Sequence, residues 1–209
     1  MYETFEFVVR ENNLNNRLRD ISSDLCKYLD FQSWKIIMFN KDKLYGWILC
    51  SSENDSNCLN QEKIFFDKST QDSYLNLILE CKKVIYYKHD KDNSSEYSPL
   101  SPDANVELYF PLFSAGNFRK DVIGCLYLSK EDHLEGDIYK LISSQDVTSR
   151  IIDIQRIFPV IYMKYIAERN FFNLLHIFSE IMKTKSFLTE KHLYSVAFFC
   201  NLIGLKLFN

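Results

Sequence analysis

Two segments in the middle of the chain, VELYFPLF (106–113) and DVIGCLYL (121–128), restrict the fold more than any other feature. Both are dense in aromatic and β-branched residues, and the polar stretch SAGNFRK between them contains Gly116. Apolar runs of this length joined by a short glycine-bearing loop predict a β-hairpin. The chain therefore contains a sheet, and the remaining segments must supply its other strands and its cover.

Upstream, SWKIIMF (33–39), LYGWILC (44–50) and EKIFF (62–66) are short β-rich runs bounded by Asn, Asp, Ser or Lys clusters, and VIYY (84–87) is a fourth. With the hairpin they predict a six-stranded antiparallel sheet. Leu14, Leu18, Ile21, Leu25 and Tyr28 recur at 4-3-4-3 spacing, which predicts a first helix to about Leu29. Thr70 followed by QDSYLNLILEC suits an N-cap and a short helix packed on the sheet. The fold class is thus α+β, a six-stranded antiparallel sheet flanked by helices. The long break from Lys88 to Glu107, KHDKDNSSEYSPLSPDANVE, is of the kind that forms a functional lid or a disordered insertion.

Downstream, Val147, Ile151, Ile154, Phe158, Ile161, Tyr165, Phe172 and Leu175 mark a heptad-like seam on a long helix. Its first part, to Phe158, is expected to cover the sheet. Beyond it Ile161, Tyr165, Phe172 and Leu175 are expected to meet a second copy of the chain, a parallel homodimer, although the apolar tail from Phe187 offers a fold-back instead. Pro159 predicts a kink or a fresh start.

Composition excludes several classes. The net charge of −3 is spread along 209 residues without a basic block, so nucleic-acid binding is not indicated. No apolar run is long enough to span a bilayer, and the first residues lack the n- and h-regions of a signal peptide, which predicts a cytoplasmic protein without membrane contact. Six cysteines without CxxC pairing, at 26, 50, 58, 81, 125 and 200, read as reduced thiols. There is no Walker loop, dinucleotide fingerprint or nucleophile elbow, and no cofactor is predicted.

The segment ELYFPLFSAGNFRKDVIGCLYLSKED, with Pro111-Leu112 and then Ile123-Gly124-Cys125-Leu126-Tyr127-Leu128, resembles the final hairpin of a GAF sensory domain. In order of elements the resemblance covers roughly residues 3 to 170. It implies a ligand pocket between one sheet face and the segments 67–82 and 88–107. Strand alternation offers Trp47, Phe66, Tyr74, Tyr109 and Phe113 as lining residues, without deciding which face they share. Gly124 inside its strand indicates either close packing of the closing helix, the preferred reading, or a ligand.

The tail KSFLTEKHLYSVAFFCNLIGLKL resembles the first helices of an HD-GYP phosphohydrolase domain at Lys185, Thr189, His192, Val196 and Ala197. Ser186, Leu188 and Leu193 stand where that family usually has Asp, Tyr and Ser. His192 is then a vestigial metal ligand at most, because the family's His-Asp dyad and later histidines do not follow it. His89-Asp90 lies in a charged loop and is not expected to replace them. These resemblances imply a GAF-like sensory domain over 1–158, a signalling helix over 159–184 and an HD-GYP-like fragment over 185–209. The implied function is the ligand- or partner-sensing module of a cyclic di-GMP phosphodiesterase, with no catalytic or metal site of its own. Alternatives are an interaction scaffold whose pocket is filled by its own aromatics, or a thiol reductase using Cys58 and Cys81.

Overall fold

The structure, a computed structural model, describes residues 2–53, 63–65, 74–89, 100–101, 103–115, 121–132 and 137–184. Its elements are α1 (Tyr2–Tyr28), β1 (Ser33–Phe39), β2 (Tyr45–Ser51), β3 (Lys63–Phe65), α2 (Tyr74–Cys81), β4 (Ile85–Lys88), β5 (Val106–Phe113), β6 (Val122–Lys130), α3 (Ile138–Ile142) and α4 (Gln145–Thr184). The strands form an antiparallel sheet in the order β3-β2-β1-β6-β5-β4. Five of them are four to nine residues long, while the strand expected over 62–66 is a three-residue edge piece. The predicted hairpin is β5–β6, and β6 lies between β1 and β5 with every residue buried.

Cross-strand partners share a face, so the register sorts the sheet's side chains. One face carries Ile37, Phe39, Tyr109, Cys125 and Tyr127, and α2 covers it with Tyr74, Leu75 and Ile78. Lys82, in the left-handed region at φ 54°, ends α2, and its N–H returns to the Ile78 carbonyl at 3.1 Å. The other face carries Met38, paired with both Trp47 and Gly124. Helix α4 lies on this side, with Phe158 over Gly124. Helix α1 runs beside α4: the Tyr28 hydroxyl donates to Asp146 Oδ2 at 3.3 Å, and the Arg150 guanidinium lies 5.0 Å from the Tyr28 ring centre. Tyr28 is exposed rather than part of the buried stripe, which runs through Leu18, Ser22, Leu25 and Leu29.

Gly124 is the contact that sets the distance between α4 and the sheet. A Cβ there would stand 2.5 Å from the Ile37 carbonyl oxygen and 2.7 Å from Cε1 of Phe158. The glycine is therefore explained by helix packing, the preferred reading of the sequence. Val147, Ile154, Ile157 and Phe158 are buried on this side, as expected for the first part of the seam.

Pro159 does not break the helix, contrary to expectation: α4 continues through it to Thr184. Proline removes only its own N–H, which would have bonded the Gln155 carbonyl, and the buried neighbours Ile157 and Phe158 hold the turn in place. The chain divides into two compact units, Met1–Ile161 and Tyr162–Asn209, so the first extends three residues past the expected 158. The second is described only through its helical residues to Thr184; the predicted fragment 185–209, His192 included, lies outside the described residues.

Gly124→Ala should lower stability by about 1–3 kcal/mol, the usual cost of overpacking. Urea unfolding of the single variants and of Gly124→Ala/Phe158→Leu checks this: the smaller side chain makes room, so the double variant should lose less than the two single losses added together.

Candidate functional site

A fully buried carboxylate organises the α2-covered face. Glu107 is the second residue of β5 and pairs with Tyr87 on β4 and Ser129 on β6. An ionised side chain inside a protein must be compensated by donors, and four groups supply them. The Tyr127 hydroxyl donates to Oε1 at 2.7 Å, and the backbone N–H groups of Leu100 and Ser101 donate to the same oxygen at 2.9 and 3.3 Å. His89 Nε2 lies 3.1 Å from Oε2. His89 at the start of the 88–107 stretch and Leu100 and Ser101 further on are thereby tied to one side chain, and the His89 backbone N–H separately donates to the Asn105 carbonyl at 2.7 Å.

Tyrosines fill the space around this carboxylate. The Tyr74 ring lies 4.5 Å from Tyr87 and 5.6 Å from Tyr109, Tyr109 lies 5.2 Å from Tyr127, and Tyr87 meets His89 edge-on at 4.4 Å. Burial, reinforced by the Glu107 charge, pushes the phenols of Tyr109 and Tyr127 well above the ordinary tyrosine value. Both remain neutral donors at physiological pH.

The predicted lining residues divide. Tyr74 and Tyr109 meet in this cluster, and Phe113 packs against its edge. Trp47 does not: its pairing with Met38 puts it on the α1/α4 side, where it stacks on Tyr45 at 5.4 Å. Alternation leaves the choice of face open, and a register irregularity between Ile36 and Ile37 shifts β2 against β1. Phe66 lies outside the described residues. His89, expected in a charged loop, is a half-buried partner of Glu107, its side chain 15% exposed. Glu107 and Gln155 escaped the sequence reading. The signal for the first was an acid set within an otherwise apolar strand.

Gln155 of α4 joins the helix to the sheet. Beyond the end of β4, strand β5 has an open edge at Pro111 and Phe113. The Gln155 Nε2 donates to the Pro111 carbonyl at 2.7 Å, and the Phe113 N–H donates to Gln155 Oε1 at 3.0 Å. The side-chain amide thus takes the place of a strand neighbour. Beside it a groove of about 520 Å³ opens, lined by Lys82, Lys83, Phe110, Phe113, Ile151 and Gln155.

Two thiols are chemically quiet. Burial raises the Cys26 thiol to about 11, against a smaller lowering by Lys27, and burial raises Cys125 well above its usual value. Cys81 is exposed, and Cys58 lies outside the described residues. Among the described residues, no group of three or more His, Cys, Asp or Glu is placed to hold a metal ion. No described helix is long and apolar enough to cross a membrane. Of the expected dimer seam, Ile161, Tyr165 and Leu175 are half-buried within the chain, and the Phe172 side chain is outside the description.

Glu107→Leu should destabilise the protein by about 3–5 kcal/mol, because four donors lose their charged acceptor at once. Urea unfolding at neutral pH measures it. The raised phenol of Tyr127 adds a pH signature. A group that the fold keeps protonated stabilises fully below its unfolded value of about 10, and that contribution fades as pH rises towards the folded value. Unfolding midpoints should therefore fall above that pH, and less steeply in Tyr127→Phe.

No protein-family model matches the sequence, and no curated protein matches it. Solved structures do. The GAF domain of an Acinetobacter phosphoenolpyruvate-protein phosphotransferase superposes with a TM-score of 0.51 at 12% identity, covering 81% of this chain and 96% of that one. A free methionine-R-sulfoxide reductase from Neisseria meningitidis, solved with its substrate, gives 0.50 at 12% identity, covering 69% and 77%. At these identities the likeness is one of fold: the chain has an α+β, GAF-like architecture.

Proposed function

We propose that this chain is a regulatory module of the sensory GAF type, working as a homodimer and passing a signal along α4 to a phosphohydrolase domain of the HD-GYP, cyclic di-GMP-cleaving kind. One observation carries the reading. Gln155 bonds α4 to β5, the strand that at its other end holds Glu107 and through it the 88–107 loop. A partner or small molecule that shifts the loop acts on the same rigid strand that α4 grips. The HD-GYP assignment rests on the resemblance of Lys185, Thr189, His192, Val196 and Ala197.

Packing on the α2 side favours a protein partner over an enclosed small ligand. Tyr74, Tyr87, Tyr109 and Tyr127 occupy the space in which a ligand would otherwise sit. The scaffold reading takes this filling as the whole story, with no signal to α4. The reductase reading rests on Cys58, outside the described residues, and on Cys81, which is exposed at the end of α2.

Alone, the chain should not hydrolyse cyclic di-GMP with added manganese or magnesium; turnover abolished by a chelator overturns the assignment of a regulatory half. Joined after Thr184 to an HD-GYP domain, it should change the hydrolysis rate, and the change should be lost in Gln155→Leu. A rate indifferent to both the module and Gln155 would identify a scaffold.

A further inference from the structure

The groove beside Gln155 lies apart from the tyrosine cluster under α2 and shares only Phe113 with it. Phe110, Pro111 and Phe113 of β5 line it together with Ile151 of α4, and Val84, 42% exposed, adds apolar surface. Its volume, about 520 Å³, is that of a small-molecule site. Its charge is uneven. The chain as a whole carries 28 acidic and 25 basic residues, yet the charged residues of the lining are Lys82 and Lys83, both exposed. Among the described residues neither forms an ion pair. Lys82 also stands in the left-handed region at φ 54°, in the position after α2 that usually takes glycine. A side chain costs stability there, so the fold holds an ammonium at the groove against the preference of the backbone.

We propose that the groove is a binding site for a free apolar monocarboxylate, its chain on Val84, Phe113 and Ile151 and its head at Lys82 and Lys83. Three observations select this chemistry. The backbone groups of β5 at Pro111 and Phe113 are already bonded to Gln155, so an extended peptide would find no strand edge to extend, whereas a hydrocarbon chain needs no hydrogen bonds. The paired lysines call for an anion. The C-terminus of α2, directly before Lys82, carries partial negative charge, and the described lining has neither an arginine nor a helix N-terminus, so a single charge suits the site better than a phosphate dianion. The assignment goes beyond the regulatory reading, since it concerns binding alone. An occupant would nevertheless touch Gln155, the residue that links α4 to β5.

Calorimetric titration of the full chain with octanoate, and with octan-1-ol as its uncharged twin, tests the site. Octanoate should bind once per chain, and octan-1-ol about tenfold more weakly, the joint worth of two partly exposed ion pairs. Lys82→Gln/Lys83→Gln should erase that difference, and Ile151→Trp, which fills the groove, should weaken both ligands. Lys82→Gly should lose about threefold in octanoate affinity, one ion pair's worth, while unfolding at a higher urea concentration than wild type. A gain in stability with a loss of binding is a combination that misfolding cannot produce. No octanoate binding at millimolar concentration overturns the proposal, as does equal affinity for acid and alcohol or an octanoate affinity that ignores both lysines. Because binding is read without any hydrolase, failure of the HD-GYP fusion leaves this result standing, and the reverse also holds.

Discussion

Burying the Glu107 carboxylate is the constraint on which the α2 side of the molecule depends. The side chain is wholly inaccessible, so its charge is tolerable only with donors on both oxygens. Three of the four donors come from outside its own strand pair: the Leu100 and Ser101 N–H groups and the His89 ring. Satisfying one residue thus fixes where the chain leaves β4 and where it returns to β5. The surrounding tyrosines complete the arrangement, because a phenol offers apolar surface and a donor together. Tyr127 uses both, lying 5.2 Å from the Tyr109 ring while its hydroxyl meets the carboxylate.

On the far side of the sheet the requirement is closeness. Gly124 lets the Phe158 ring descend to the level of the strand backbone, and that depth brings the amide of Gln155, one turn earlier, within reach of Pro111 and Phe113. An open strand edge invites pairing with another chain. Here a glutamine supplies both the donor and the acceptor that a further strand would have given. The same residue marks the place where Pro159 withholds its N–H, so the turn least supported by its own backbone is held to the sheet by a side chain.

Much of this fold was legible in the sequence, for local reasons. Strands such as Ser33–Phe39 and Val106–Phe113 are runs of β-branched and aromatic residues with polar borders, and they fall where composition put them. The glycine at 124 announced a close approach for want of a side chain. What escaped depends on relations between distant residues. Trp47 and Tyr109 alternate equally well along their strands, and only the pairing register separates their faces. Glu107 looked like an ordinary polar interruption because its donors lie up to twenty residues away. The charged neighbours of His89 suggest a solvated loop, although what decides its environment is the carboxylate across the strand pair. Pro159 misled in the opposite sense, since helix propensity is a local cost that burial of the adjoining residues outweighs.

Helix α4 meets three different demands in sequence, and its residue pattern changes to match. From Val147 to Phe158 the buried positions follow the sheet, and the Gln155 amide bonds strand β5 through both its nitrogen and its oxygen. Past Ile161 the helix belongs to the second unit, and its side chains divide between half-buried and exposed positions. A helix with apolar residues on two sides gains from burying both, and a single fold-back can cover only one. Among the described residues of this segment, Met163, Leu174 and Ile177 are exposed. The element that grips β5 through Gln155 therefore continues into a segment on which Met163, Leu174 and Ile177 are exposed.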